Sequence, residues 1–228
     1  MKSFIKKLGV VFLLLAVTFC STLTFSGCKN KEDLTPYLSQ LHDKVYLGEN
    51  EYSLKSVYGF KETPFLNDGK IGDKEWALNF TLKADETSQT EYLLQFKYNG
   101  TEYSKKFTLN AVKGALTCSI KIDEFTANEF MVELIVGSKS YPITMRSTLP
   151  EGTLSYKDAL SSLLKEQKTL IENYKDENGN FNGEIRLRVI VKDDKPYYYA
   201  GLIGKDGNLK ALLIDGLNGK ILAVREVF

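Results

Sequence analysis

The sequence predicts an α+β protein, in which an immunoglobulin-like antiparallel β-sandwich over residues 45–148 is followed by a small domain over residues 149–228. That second domain is expected to hold one helix and a four-stranded antiparallel sheet. Three observations predict this class. Apolar and polar residues alternate with the period of a half-buried strand from Val45 to Met145. A Pro-Gly boundary then precedes a helical pattern, and the alternation returns after the helix.

Residues 1–27 have the composition of an export signal. The positive amino-terminal part holds Lys2, Lys6 and Lys7. An apolar run without charges follows from Leu8 to Leu23. Because this run of 16 residues lies near the lower limit of about 17–18 residues for spanning a bilayer, an uncleaved transmembrane anchor is the alternative.

The leader closes with Phe25-Ser26-Gly27-Cys28, which resembles the lipobox of bacterial lipoproteins. Small residues precede the cysteine, where the peptidase needs narrow side chains, although Phe25 stands where the family usually has an aliphatic residue. The resemblance implies cleavage before Cys28 and a diacylglycerol on its sulfur. The mature chain would then be held to the membrane on its extracytoplasmic side. Cys20 is a poorer candidate, because Phe19 precedes it.

The mature chain is nearly neutral. Without residues 1–27, Lys+Arg falls from 30 to 27 against 29 Asp+Glu, a net charge near −2. No basic patch indicates a nucleic-acid partner. With Cys28 acylated, Cys118 has no partner for an intramolecular disulfide, so the fold must rest on its apolar cores.

Residues 28–44 are predicted to be a tether with a short helix. The segment from Lys29 to Leu34 is polar. Thr35-Pro36 has the composition of a helix start, and the helix is expected to run through Leu41. The single histidine, His42, follows in a polar context and is predicted to be a solvated surface residue.

The predicted sandwich contains six or seven short strands. Their alternating apolar sets are Trp76–Leu82, Tyr92–Tyr98, Tyr103–Leu109, Leu116–Ile122, Phe130–Val136 and Tyr141–Met145, with a less regular set from Tyr52 to Val57. Asn99-Gly100 is a hairpin signal, because both positions favour positive φ. Cys118 alternates with Leu116 and Ile120 and is therefore predicted to be a small core residue.

The boundary at Leu149–Gly152 opens the second domain. Ser155 is predicted to cap a helix whose apolar face runs from Tyr156 to Tyr174, and Asp176–Asn180 ends it. The four strands are expected at Ile185–Val191, Tyr197–Ile203, Leu209–Ile214 and Ile221–Val227. Because the boundary is short, it allows a fixed interface between the domains.

The last third, residues 153–228, resembles a PepSY-type domain. The residues that carry the resemblance are Leu154–Leu160, Tyr197–Tyr199, Lys205–Gly207 and Ile214–Leu222. Members of this family are associated with extracytoplasmic proteins, and some restrain secreted peptidases. The resemblance brings no catalytic residues.

No catalytic or metal constellation is predicted. The one histidine limits every Ser-His-Asp or Cys-His arrangement to His42. In the acidic turn Asp176–Asn180, Gly179 falls at position 4, whereas a calcium loop needs its glycine at position 6, so this segment is predicted to be a solvated turn. We therefore expect no enzyme activity, no cofactor and no metal.

A candidate binding surface is predicted on Arg186, Arg188 and Tyr198. The arginines share one face of their strand, and Tyr198 points opposite to its neighbours Tyr197 and Tyr199. If Tyr198 lies on the face of the arginines, an Arg/Tyr surface of the kind enriched in binding hot spots results. The alternative is cross-strand stabilisation of the sheet by the aromatic residues.

The sequence as a whole predicts a lipid-anchored, extracytoplasmic binding module without enzyme activity. Its expected partner is a secreted peptidase or an envelope protein, and its oligomeric state is open. The alternative is a lipoprotein that binds a small ligand or assists transport.

Overall fold

The computed structural model describes residues 32–83 and 91–227. The described chain is mostly β, with 58% strand and 10% helix. It contains 13 strands, all of which belong to one curled sheet. The predicted α+β class, a sandwich followed by a helix-plus-sheet domain, was wrong, because the strands of both regions pair into that single sheet.

The elements are numbered here in chain order. The strands of the described chain are β1 (Leu38–Glu49), β2 (Ser53–Thr63), β3 (Asp73–Lys83), β4 (Tyr92–Tyr98), β5 (Thr101–Lys106), β6 (Thr108–Asn110), β7 (Ala115–Lys121), β8 (Glu129–Val136), β9 (Lys139–Ser147), β10 (Gly183–Lys192), β11 (Lys195–Gly204), β12 (Leu209–Asp215) and β13 (Ile221–Val227). The helices are α1 (Tyr156–Glu166) and α2 (Lys168–Glu172), and a 3₁₀ turn covers Thr35–Tyr37. No helix of the described ranges is long and apolar enough to cross a membrane.

Strand β1 makes the sheet continuous. It pairs antiparallel with β2 and β9 and parallel with β10. The main path of the sheet is β13-β12-β11-β10-β1-β2-β3-β7-β6. The helix predicted through Leu41 was wrong beyond Tyr37, because β-bulges after Leu38 and after His42 interrupt the period of two in this strand. The domain boundaries at residues 28, 45 and 149 stay predictions about folding units.

One apolar core lies where the sheet curls over itself. Strand β9 branches from β1, β8 pairs with β9, and β4 pairs with β8. Fully buried side chains of this core include Tyr46, Leu78, Phe80, Leu82, Leu94, Leu134 and Met145. Cys118 belongs to it, as its alternation predicted, and burial raises the pKa of its thiol to about 12.

A second core lies between the two helices and strands β1, β10, β11 and β12. Its fully buried side chains include Leu38, Leu41, Ala159, Leu163, Ile185, Leu187 and Leu202. The Ser155 hydroxyl caps α1 by accepting the Asp158 amide at 3.2 Å. Gly219, at φ +77°, closes the β12–β13 turn against α1, and a Cβ there would lie 2.1 Å from the Ser162 hydroxyl oxygen.

The Tyr198 hydroxyl connects this core to the segment before α1. The side chain is 1% exposed, and its hydroxyl donates to the Leu154 carbonyl at 2.7 Å. We expect Tyr198→Phe to lower the free energy of unfolding by about 1–2 kcal/mol, because the partly buried Leu154 carbonyl loses its donor. The control Tyr199→Phe removes a hydroxyl that forms no hydrogen bond with the described residues. Urea unfolding followed by circular dichroism compares them, and equal losses would contradict this role for Tyr198.

Candidate functional site: a basic cleft on the outer sheet face

The structure places the three predicted binding residues on two faces of the sheet. In the β10–β11 register, Arg188 pairs with Tyr199 and Val189 pairs with Tyr198. Because directly paired residues share a face, Tyr198 lies with Val189 on the helix-covered inner face, and Arg186 and Arg188 lie on the outer face. The condition for an Arg/Tyr surface that includes Tyr198 is therefore not met.

A signal in the sequence could have located Tyr198. Asp193 and Asp194 both have positive φ, at 50° and 57°, and form the two-residue loop between β10 and β11. Such a loop fixes the register of a hairpin. Lys192 then lies opposite Lys195. The same register places Arg188 opposite Tyr199, so Tyr198 lies on the other face.

Arg186 makes its polar contacts within the protein. Its Nη2 donates to Glu184 at 2.9 Å and to the Leu66 carbonyl at 2.5 Å. Its guanidinium lies 4.0 Å from the centroid of the Phe65 ring. Leu66 and Phe65 both belong to the β2–β3 connection, so Arg186 fastens that connection to the outer face of β10.

Two buried carboxyl groups lie beneath the same connection. Glu184 is 0% exposed and Glu62 is 2% exposed, and the amide of Gly72 donates to Glu62 Oε2 at 2.9 Å. Burial raises the pKa of Glu184 to about 7; Arg186 opposes the rise and Glu62 adds to it. Glu62 Oε1 and Glu184 Oε2 find no partner among the described residues. A proton on Glu184 supplies a donor that this pair otherwise lacks.

Arg188, in contrast, borders an open cleft. Its Nε and Nη2 donate to the Gln40 side-chain oxygen at 2.8 and 2.6 Å. Burial lowers the pKa of Arg188, and the nearby Arg186 lowers it further. Within the described ranges no carboxylate forms an ion pair with Arg188. Its positive charge is therefore held by a neutral amide.

Gln40 also fixes the histidine. The Gln40 amide nitrogen lies 3.3 Å from His42 Nε2. Because the Gln40 oxygen accepts from Arg188, the amide nitrogen is the donor, and the neutral imidazole then carries its proton on Nδ1. Burial, together with the charges of Arg188, Lys113 and Lys55, lowers the pKa of His42 to about 4. The predicted solvated surface histidine was wrong, because β1 places His42 in a cleft wall.

The cleft has a volume of about 440 Å³. Strands β1, β2, β3, β7 and β10 form its walls, and its polar lining includes Gln40, His42, Lys61, Asn79, Lys113, Ser119 and Arg188. Among the described residues that line it, Glu75 is the one carboxylate, and it is in an ion pair with Lys121. Of the residues that line the cleft, the sequence analysis named Arg188 as a binding residue but not Gln40. The alternation of β10 is regular, whereas bulges interrupt that of β1.

The comparisons and a search for metal ligands add no assignment. The chain matches no protein family, no curated protein and no solved structure. In the part of the chain that the structure describes, no group of three or more His, Cys, Asp or Glu side chains could hold a metal ion. Cys28 lies outside the described residues, and its lipidation stays a prediction.

The carboxyl pair predicts a pH-dependent effect of Glu184→Gln. A raised pKa favours the protonated folded state, so this group's stabilisation is complete below pH 4.5 and is lost as the pH rises through about 7. A glutamine stays neutral at every pH. We compare the melting temperature of Glu184→Gln with that of the unsubstituted chain at each pH. We expect this difference to shift in favour of the variant by roughly 2–6 °C from pH 5 to pH 8.

Differential scanning calorimetry at several pH values measures this gain. The control is Glu151→Gln, which neutralises an exposed carboxylate that forms no ion pair with the described residues. A difference in melting temperature between Glu184→Gln and the unsubstituted chain that does not change with pH would contradict the proton assigned to Glu184 in the folded state.

Proposed function

We propose that the chain is a non-enzymatic binding module, held outside the cytoplasmic membrane by a lipid on Cys28, and that the cleft beside Arg188 is its binding site. The observation that carries this proposal is the half-buried guanidinium of Arg188, which forms no ion pair with a carboxylate of residues 32–83 or 91–227. Burying a charge costs free energy unless a group of opposite charge compensates it. A bound partner provides that compensation.

The partner in this proposal is an extracytoplasmic protein. The resemblance of residues 153–228 to PepSY-type domains supports a secreted peptidase, and the lipobox-like leader supports an envelope location. Arg186 and Arg188, which were predicted as binding residues, have different roles here. Arg186 orders the β2–β3 connection at the cleft rim, whereas Arg188 contacts the partner.

The second candidate is a lipoprotein that binds a small ligand. The volume of the cleft favours it, because about 440 Å³ lies within the 300–1,000 Å³ range of small-molecule sites. A larger cavity of about 910 Å³ lies between β4, β5 and β8, but it fits both candidate functions less well than the cleft beside Arg188 does. Its charged lining has both signs, with Lys97, Glu102, Glu129 and Glu133.

The arrangement of the candidate nucleophile supports a function without catalysis. Cys118 pairs with Phe80 and lies in the inner core, whereas His42 lies on the outer face. A thiol and an imidazole on opposite faces of a sheet cannot form a nucleophile–base pair.

Partner capture tests the binding site. Crosslinking on intact producing cells, with the chain as bait, is expected to recover an extracytoplasmic protein that Arg188→Gln recovers at least about tenfold less, since loss of a charged contact costs more than 1.4 kcal/mol. Arg225→Gln, on an exposed position of β13, is the matched control. Undiminished capture by Arg188→Gln would place the binding site elsewhere.

Metabolic labelling with a fatty acid tests the anchor. We expect Cys28→Ala to abolish the label and to release the protein from the membrane fraction, because the thioether-linked diacylglycerol provides the attachment. Cys20→Ala, which changes the other leader cysteine, is expected to keep the label. Retained label in Cys28→Ala would exclude this residue as the lipidation site.

A further inference from the structure

We infer that the cleft binds an oxyanion, a carboxylate or phosphate group of its ligand, between Arg188, His42 and Lys113. This inference rests on the proposed function and names the chemical group that the cleft would recognise. It is carried by the sign of the local charge, by the donors that remain free and by the fixed orientation of the side chains.

The charges that act on the cleft wall are predominantly positive. Three cations from three different elements lower the pKa of His42: Arg188 on β10, Lys113 in the β6–β7 connection and Lys55 on β2. Neither lysine forms an ion pair in the described part of the chain. The carboxylate of Glu75, which lines the same cleft, is in an ion pair with Lys121. The field at the imidazole therefore favours an anion.

Donors remain available in the cleft after the internal hydrogen bonds are made. Arg188 uses Nε and Nη2 on Gln40, and its Nη1 forms no hydrogen bond within residues 32–83 and 91–227. His42 receives the Gln40 amide at Nε2, which leaves its Nδ1–H as a donor. Arginine and imidazole N–H groups form charge-assisted hydrogen bonds with carboxylate and phosphate oxygens.

Gln40 keeps these donors in place without neutralising them. Its side chain is 7% exposed and contacts Arg188 and His42 at the same time. A glutamate at this position would satisfy Arg188 internally and would compete with an anionic ligand. An amide fixes both side chains and leaves the positive charge available, which lowers the entropic cost of binding.

A bound cation or a purely apolar ligand fits these observations less well. A cation would meet the repulsion of Arg188 and the lysines. A metal ion would need the imidazole nitrogen that Gln40 already contacts. An apolar ligand would leave the guanidinium uncompensated. Val57 and Phe65 line the same cleft and give the body of an anionic ligand some apolar contact.

The single imidazole gives a direct test. In the untagged protein, His42 is the one histidine, so its Cε1–H resonance reports the cleft without assignment. The pKa of His42 is measured by NMR between pH 3 and pH 8 in chloride at constant ionic strength, and again with inorganic phosphate or oxalate. We expect either probe to raise the pKa of His42 from about 4 by about one or more.

Two variants and a control make the result specific. Arg188→Gln is expected to remove the effect of the probes, and Lys113→Gln, a change on an exposed connection, is expected to weaken it. Arg225→Gln is expected to leave it intact. An effect of phosphate but not oxalate would narrow the group to phosphate, and the reverse would narrow it to carboxylate.

Two outcomes would overturn the inference. One is an unchanged pKa of His42 with both probes. The other is a rise in the pKa of His42 that is as large in the Lys113→Gln and Arg188→Gln variants as in the unsubstituted chain. That result would indicate non-specific screening or an adventitious ion only. If partner capture still depends on Arg188 in either case, the proposed binding site stands and the oxyanion assignment alone fails. If capture is also independent of Arg188, both fail.

Discussion

The parallel pairing of β1 with β10 is the contact on which the rest of the structure depends. It joins Leu38 to Ile185 and His42 to Arg188, residues that are far apart in the chain. Loop closure over such a distance carries an entropic cost that packing must offset. The β1–β10 pair is called here the seam, and its inner face provides that packing. The fully buried side chains of that face are Leu38, Leu41, Ile185 and Leu187. The outer face of the seam carries the cleft.

The seam also explains why two arginines on one strand behave differently. Arg186 Nη2 donates to the buried carboxyl group of Glu184 and to the Leu66 carbonyl in the β2–β3 connection, so this nitrogen is bonded within the chain. Arg188, two residues further along the same face, meets the amide of Gln40 from β1. A carboxyl group beside Arg186 and an amide beside Arg188 distinguish the internally bonded arginine from the one that we propose contacts a partner.

The sequence predicted the regular elements better than their association. The hairpin at Asn99-Gly100 has the expected positive φ values of 47° and 81°, and Ser155 caps the helix as expected. Alternation located most strands because their inner faces are apolar. It did not reveal β1, whose bulges interrupt the period and whose outer residues are polar. Without β1, nothing joined the two regions into one sheet, and the partners of Arg188 stayed hidden.

His42 and Glu184 have an additional consequence for the folding equilibrium in mild acid. The folded state resists protonation of His42 down to about pH 4, so this group makes stability rise with pH between about 4 and 6.5. Glu184 keeps its proton up to about pH 7, so it makes stability fall between about 4.5 and 7. The two slopes oppose each other over a shared interval. For this pair of groups the two pH dependences therefore largely cancel there, so neither group alone sets the response of the fold to mild acid.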